Sequence, residues 1–120
     1  MKVTYGEVIL MREALQKLGT LKIPVSSSLK IAKLANKVNK EFQDIDLVRV
    51  NLVKQHGVAD DKGNFSVELA TPEEQAKFWA EYVEALGNKV NIDSDPIKLP
   101  ENLEVEPATL VPLERFLEVG

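Results

Sequence analysis

One hundred and twenty residues, 44% hydrophobic and 28% charged with six glycines and six prolines, suit one domain over 1–120 with a modest core and exclude collagen-like, low-complexity and strongly disordered chains. The absence of cysteine and the single histidine, His56, exclude a disulfide framework, a thiolate nucleophile and a two-histidine metal site within one chain. The net charge of −4 is unevenly spread: residues 1–56 hold ten Lys/Arg against five Asp/Glu, and residues 57–120 hold five against fourteen, so the two halves attract.

Thr4 followed three residues later by Glu7 has the form of a capping box, and Val8, Leu10, Met11, Leu15 and Leu18 recur at largely helical spacing, which predicts a helix over 5–18. Gly19 suits its C-terminal cap and Pro24 cannot continue it, so 19–24 is a connection with Leu21 and Ile23 tucked inward. Ser26, Ser27 and Ser28 offer a cap to the next helix, a commoner use of serine than nucleophilic catalysis when no acid-base partner is placed beside it.

A long central helix over 28–56 follows. Ile31, Ala35, Val38, Phe42, Ile45 and Leu52 fit alternating steps of four and three if Arg49 fills the remaining place, a coiled-coil-like seam longer than a domain of this size needs to cover. Val48–Leu52 also alternates apolar and polar as a half-buried strand does, and over 47–53 the strand alternative stays open. The unbroken helical period leading into it favours helix, and Gln55-His56-Gly57 reads as a helix end, with His56 in a terminal or packing role.

Asp60–Asn64 is a turn cluster without the ligand spacing of a calcium loop. Phe65, Val67 and Leu69 then predict a strand over 65–69. Thr71-Pro72-Glu73-Glu74 opens a helix over 72–86, and Ala76, Phe78, Trp79, Tyr82, Val83 and Leu86 give it a broad apolar stripe in which the aromatics read as core anchors. Lys89–Asp93 alternates again, so a strand over 89–93 is expected to pair antiparallel with 65–69. Ile97 and Leu99 lie in an extended segment, and Thr109 is read as the cap of a short C-terminal helix over 110–118. The fold class expected is mostly α with a minor β-hairpin (α+β), a long central helix packed with shorter helices.

The runs Ala14–Leu18, Leu21–Ser26 and Leu29–Leu34, the long charged helix ending at His56-Gly57, the turn Asp60–Asn64 and the segment Ile92–Leu99 together resemble a group of small bacteriophage and prophage proteins without assigned function. The resemblance implies a viral or mobile-element origin and supplies no catalytic residue. Where members of that group carry an aromatic at the helix end, this chain has His56, a difference that touches packing.

Chemistry is sparse. The leading functional expectation is a non-catalytic phage or prophage interaction protein that forms a homo-oligomer, a dimer first of all, through the seam of Ile31, Ala35, Val38, Phe42, Ile45, Arg49 and Leu52, and binds a phage or host macromolecule. Arg49 sits within reach of Asp46 and would set register. The alternative is nucleic-acid or nucleotide binding by Lys30, Lys33, Lys37 and Lys40, although the chain lacks interleaved aromatics and any phosphate-binding glycine motif. A third class, an enzyme using Asp93 and Asp95 or Asp60 and Asp61 as paired carboxylates, is weaker because those strings are ordinary turn vocabulary. No catalytic residue, metal or cofactor is expected. With apolar runs only a few residues long and no apolar leader, no membrane association is expected, and the location expected is cytoplasmic.

Overall fold

Thr4 and Glu7 close a reciprocal pair at the head of the first helix: the Glu7 amide donates to Thr4 Oγ1 at 3.1 Å and the Thr4 amide donates to Glu7 Oε1 at 3.1 Å. In this computed structural model, which describes residues 1–119, that cap joins strand β1 (Lys2–Thr4) to helix α1 (Tyr5–Leu18). Helix α2 (Val25–His56) is continuous, about 48 Å at 1.5 Å per residue. After it come strands β2 (Val58–Ala59) and β3 (Phe65–Ser66), helix α3 (Pro72–Leu86), strands β4 (Lys89–Asn91) and β5 (Ile97–Leu99), the short helix α4 (Pro107–Leu110), a 3-10 turn Val111–Phe116, and strand β6 (Leu117–Val119). The molecule is mostly α with a minor β part. The segment 47–53 is helical, because nothing in it interrupts the apolar period carried in from Leu29.

The chain, expected as one domain, groups into two compact units: Met1–Phe42 with the chain from Lys89 onward, and Gln43–Asn88. In the first, β1 pairs antiparallel with β4, Val3 opposite Val90, and β5 pairs in parallel with β6, Ile97 opposite Leu117. Val3, Val8, Met11, Leu15 and Leu18 meet Ile31, Leu34 and Val38 of α2, together with Ile92, Ile97, Leu99, Leu113 and Phe116. Leu21 and Ile23 of the connection pack on this core as their apolar character predicts. Arg115 seals one end, its guanidinium 3.0 Å from Glu7 Oε2 and 3.3 Å from the Lys2 carbonyl.

In the second unit, residues 43–56 of α2 lead into a β2–β3 hairpin, Val58 opposite Ser66. Its turn is held by Asp60 Oδ1, which accepts from the amides of Lys62 at 2.8 Å and Asn64 at 2.9 Å, and by Gly63 at φ 81°, a conformation glycine adopts without strain. Gly57 is required for a different reason. A Cβ there would lie 2.4 Å from the Val53 carbonyl oxygen and 3.0 Å from that of Ser66, so only a bare backbone lets β3 approach the end of α2. Thr71 Oγ1 caps α3 by accepting from the Glu74 amide at 3.3 Å.

Four sequence expectations are corrected. The strand over 65–69 is only Phe65–Ser66, and it pairs with β2 rather than with 89–93; β4 pairs with β1. The hairpin turn offers Phe65 a partner a few residues away, and closing that short loop costs about 1 kcal/mol less entropy than reaching past α3. The helix over 110–118 is replaced by α4, the 3-10 turn and β6, since Pro112 carries no amide for an i to i−4 bond and the extended end pairs with β5. Thr109 lies buried inside α4, whose cap position is Glu106. The serines are not the cap of α2: the helix already starts at Val25, and buried Ser27 donates its hydroxyl to the Lys98 carbonyl.

Candidate interaction surfaces

Lys30, Lys33, Lys37 and Lys40 do fall along one side of α2, but the chain's own acidic loop meets them. Lys30 Nζ donates to the Pro96 carbonyl at 3.2 Å and Lys37 Nζ to the Asp93 carbonyl at 2.5 Å. Lys30, Lys33 and Lys37 line a cleft of about 230 Å³ whose other wall is Asp93, Ser94 and Asp95, while Lys40 lines a neighbouring one with Glu41, Asn91 and Asp93. The attraction between a basic first half and an acidic second half is realised here inside the first unit. Asp93 also takes the Met1 ammonium at 2.8 Å, which with Lys37 holds its carboxyl below the usual range. Asp93 and Asp95 therefore face ammonium groups, and Asp60 is occupied by the amides of its own turn. Among the described residues no group of three or more His, Asp or Glu side chains is arranged to hold a metal ion.

The proposed self-association seam divides. Ile31 and Val38 are buried in the first unit's core, and Ala35 and Phe42 pack against it. Phe42 also carries the Arg12 guanidinium 4.2 Å above its ring, a cation–π contact that leaves little apolar surface there for a second chain. Farther along, Ile45 is buried, Leu52 is half-buried, and exposed Arg49 pairs with Asp46 at 3.1 Å. Coiled-coil pairing needs such a seam free along its length, and over 31–42 this one faces the chain's own core. Leu34, outside the predicted seam, is fully buried.

The second unit carries exposed apolar side chains around an aromatic cleft. Trp79 is 56% exposed, Val83 61%, Leu69 62% and Phe65 44%. Arg49, Val53, Phe65, Val67, Trp79 and Tyr82 are among the residues lining a cleft of about 380 Å³, with Glu68 and Gln75 at its rim. Phe78 is buried beneath, its ring 5.2 Å from Trp79, edge to face, and 5.7 Å from Tyr82. Apolar patterning alone assigns all three aromatics to a core. A stripe running from Phe78 round to Ala76, however, spans about 160° at 100° per residue, wider than one packing contact covers. One side is filled by Phe78, Tyr82 and Leu86; Ala76, Trp79, Ala80 and Val83 are left exposed.

Beside this surface His56, buried at the end of α2, has Nδ1 2.8 Å from Glu74 Oε2 and Nε2 2.8 Å from Glu81 Oε2. Both carboxylates raise the imidazole's pKa, and His56 in turn lowers that of Glu74. The spacing of Glu74 and Glu81, seven apart on one helix face, was legible; that they converge on the lone histidine was not. The arrangement is an internal clamp: both ring nitrogens are occupied, so neither is free to accept a substrate proton.

Among the described residues no helix is long and apolar enough to cross a membrane. No protein-family model, curated protein or solved structure matches this chain.

Proposed function

We propose that this chain is a non-catalytic interaction protein whose second unit docks a macromolecular partner on the aromatic surface around Trp79. The observation that carries the reading is a tryptophan 56% exposed on a helix, over a cleft of about 380 Å³ with a buried aromatic floor. A large amphipathic ring left half in water on a rigid scaffold is the type of anchor that dominates interface energetics, and contiguous exposed apolar surface rimmed by polar residues marks interaction sites. In the setting implied by the resemblance to phage proteins, the partner is a phage or host protein. The lysine side of α2 supports nucleic-acid binding less well, because two of its four ammonium groups already hold backbone carbonyls and phosphate affinity depends on free cations.

Site-specific photo-crosslinking in cells that carry the protein tests it. A crosslinker at Val83 captures a discrete partner, and one at Leu10, 53% exposed on α1, does not. Equal capture at both positions, or none at Val83, defeats the proposal.

A further inference from the structure

The charges around the exposed stripe say what kind of partner fits it. Residues 43–88 carry nine Asp/Glu against four Lys/Arg, and the cations nearest the stripe are already taken. Arg49 in the cleft pairs with Asp46 at 3.1 Å, and Lys77 on α3 pairs with Glu74 at 3.5 Å. Glu74 and Glu81 are committed to His56. On α3 and in the cleft beside it, three exposed carboxylates have no ion pair among the described residues: Glu68, Glu73 and Glu84. Their placement is not random. At about 100° per residue, Glu73 and Glu84 run along one edge of the sector holding Ala76, Trp79, Ala80 and Val83, and Glu68 lines the cleft that opens on the other edge, beside Trp79 and Tyr82.

Resting on the docking proposal, we infer that the occupant is a cationic amphipathic helix, a partner segment with an apolar stripe and Lys or Arg on both flanks. The stripe on α3 has the shape such a segment needs. Ala76 and Ala80 form a low row beside the taller row of Trp79 and Val83, on the side of Glu73 and Glu84, so a second helix can lay its own ridge there. The surface runs from residue 76 to 83, about two turns, and offers anchoring carboxylates on either side. An anionic segment would meet unpaired carboxylates on both flanks, and repulsion of that kind rejects wrong partners as effectively as attraction selects right ones.

Trp79 is the chain's one tryptophan, so its emission reports this surface in the full-length protein without a label. The probes are amphipathic peptides of about 18 residues, long enough to hold a helix, with identical leucine patterns and either lysine or glutamate elsewhere. The leucine/lysine peptide is expected to shift Trp79 emission to the blue, with a Kd weakening roughly tenfold between low and high salt as the Debye length shrinks. The leucine/glutamate peptide is expected to leave the emission unchanged. Replacing Glu68, Glu73 and Glu84 together by lysine, with folding checked by circular dichroism, reverses the preference. If both peptides bind equally, or the triple variant keeps the lysine preference, the cationic assignment is overturned while the docking surface stands. If neither peptide shifts the emission, the docking surface falls as well. A blue shift on raising the concentration of the protein alone makes a second copy the occupant and overturns the inference.

Discussion

His56 Nε2 and Glu81 Oε2 lie 2.8 Å apart, while the other ring nitrogen lies 2.8 Å from Glu74 Oε2. A neutral imidazole has one N–H and donates to one carboxylate only; the imidazolium donates to both. The geometry therefore selects the charged ring, and its position in the last turn of α2 adds the favourable field of a helix C-terminus. One carboxylate comes from the first turn of α3 and the other from its middle, so a single proton ties the end of α2 to two turns of α3.

Stability of the second unit is expected to depend on that proton. His56 has its folded pKa raised above the 6.5 of a free histidine, so its contribution is complete below that value and is lost as pH rises through the folded pKa. Glu74 is shifted the other way from 4.5; its contribution is present above 4.5 and disappears as pH falls through its lowered pKa. Thermal melts are expected to be highest between the two ranges and to decline toward alkaline pH. Lys77, paired with Glu74, and Glu81 are the other charges facing the clamp. In His56→Gln the decline above neutrality is expected to vanish; a variant that keeps the wild-type alkaline profile locates the titration elsewhere.

Gly57 and Gly63 separate two reasons for glycine. Alanine at Gly57 drives a Cβ to 2.4 Å from a backbone oxygen, and since backbone cannot rotate away as a side chain can, the hairpin must shift, at about 1–3 kcal/mol. Alanine at Gly63 meets nothing within 4 Å but must adopt φ 81°, which costs about 1 kcal/mol. Asparagine is expected to restore part of the loss at Gly63 and none at Gly57, as urea unfolding of the four variants will show.

How far the sequence discloses this molecule follows from which signals are local. The caps at Thr4 and Thr71, the stops at Gly19 and Gly87, and the long helical period of α2 are written within a few residues of where they act, and each element appears there. Strand pairing is not local. Lys2–Thr4 carries only one buried side chain, Val3, too little pattern to announce a strand, yet it supplies the partner of β4. The candidate surface was half legible: the aromatics of α3 stand out, but which of them stays in water depends on how wide a stripe the facing residues can cover.

Leu34→Ala is expected to cost about 2–5 kcal/mol, as truncation of a fully buried leucine does. A strict four-three seam passes over Leu34 in favour of Ala35, because coiled-coil spacing picks the narrow line that two helices share. A helix buried against several elements uses a broader stripe, and Leu34 is fully buried while Ala35 is half-buried. Ala35→Ser is expected to change stability by less than about 1 kcal/mol, and chemical denaturation of the pair distinguishes a core-facing helix from a dimer seam.

The three serines at the start of α2 are expected to differ although the sequence gives no means of ranking them. Ser27 is buried and its hydroxyl donates to the Lys98 carbonyl in β5; alanine there removes that hydrogen bond, at about 1 kcal/mol. Ser26 and Ser28 are exposed, so their alanine variants are expected within about 0.5 kcal/mol of wild type. A uniform response across the three would return them to a capping role.

The lysines of α2 divide in the same way, and their division tests the structural account of the basic side. Lys30 and Lys37 hold the Pro96 and Asp93 carbonyls, so replacing both by glutamine is expected to speed amide exchange across 92–97 by releasing the loop from the helix. Lys33 and Lys40 donate no hydrogen bond to it, and the corresponding double variant is expected to leave exchange there unchanged. A nucleic-acid interface predicts another pattern, because phosphate contacts draw on every accessible cation and each lost lysine lowers affinity and its salt dependence to a similar degree. Amide exchange and a DNA titration at two salt concentrations on the same two variants separate a basic face that organises its own chain from one that meets a polyanion.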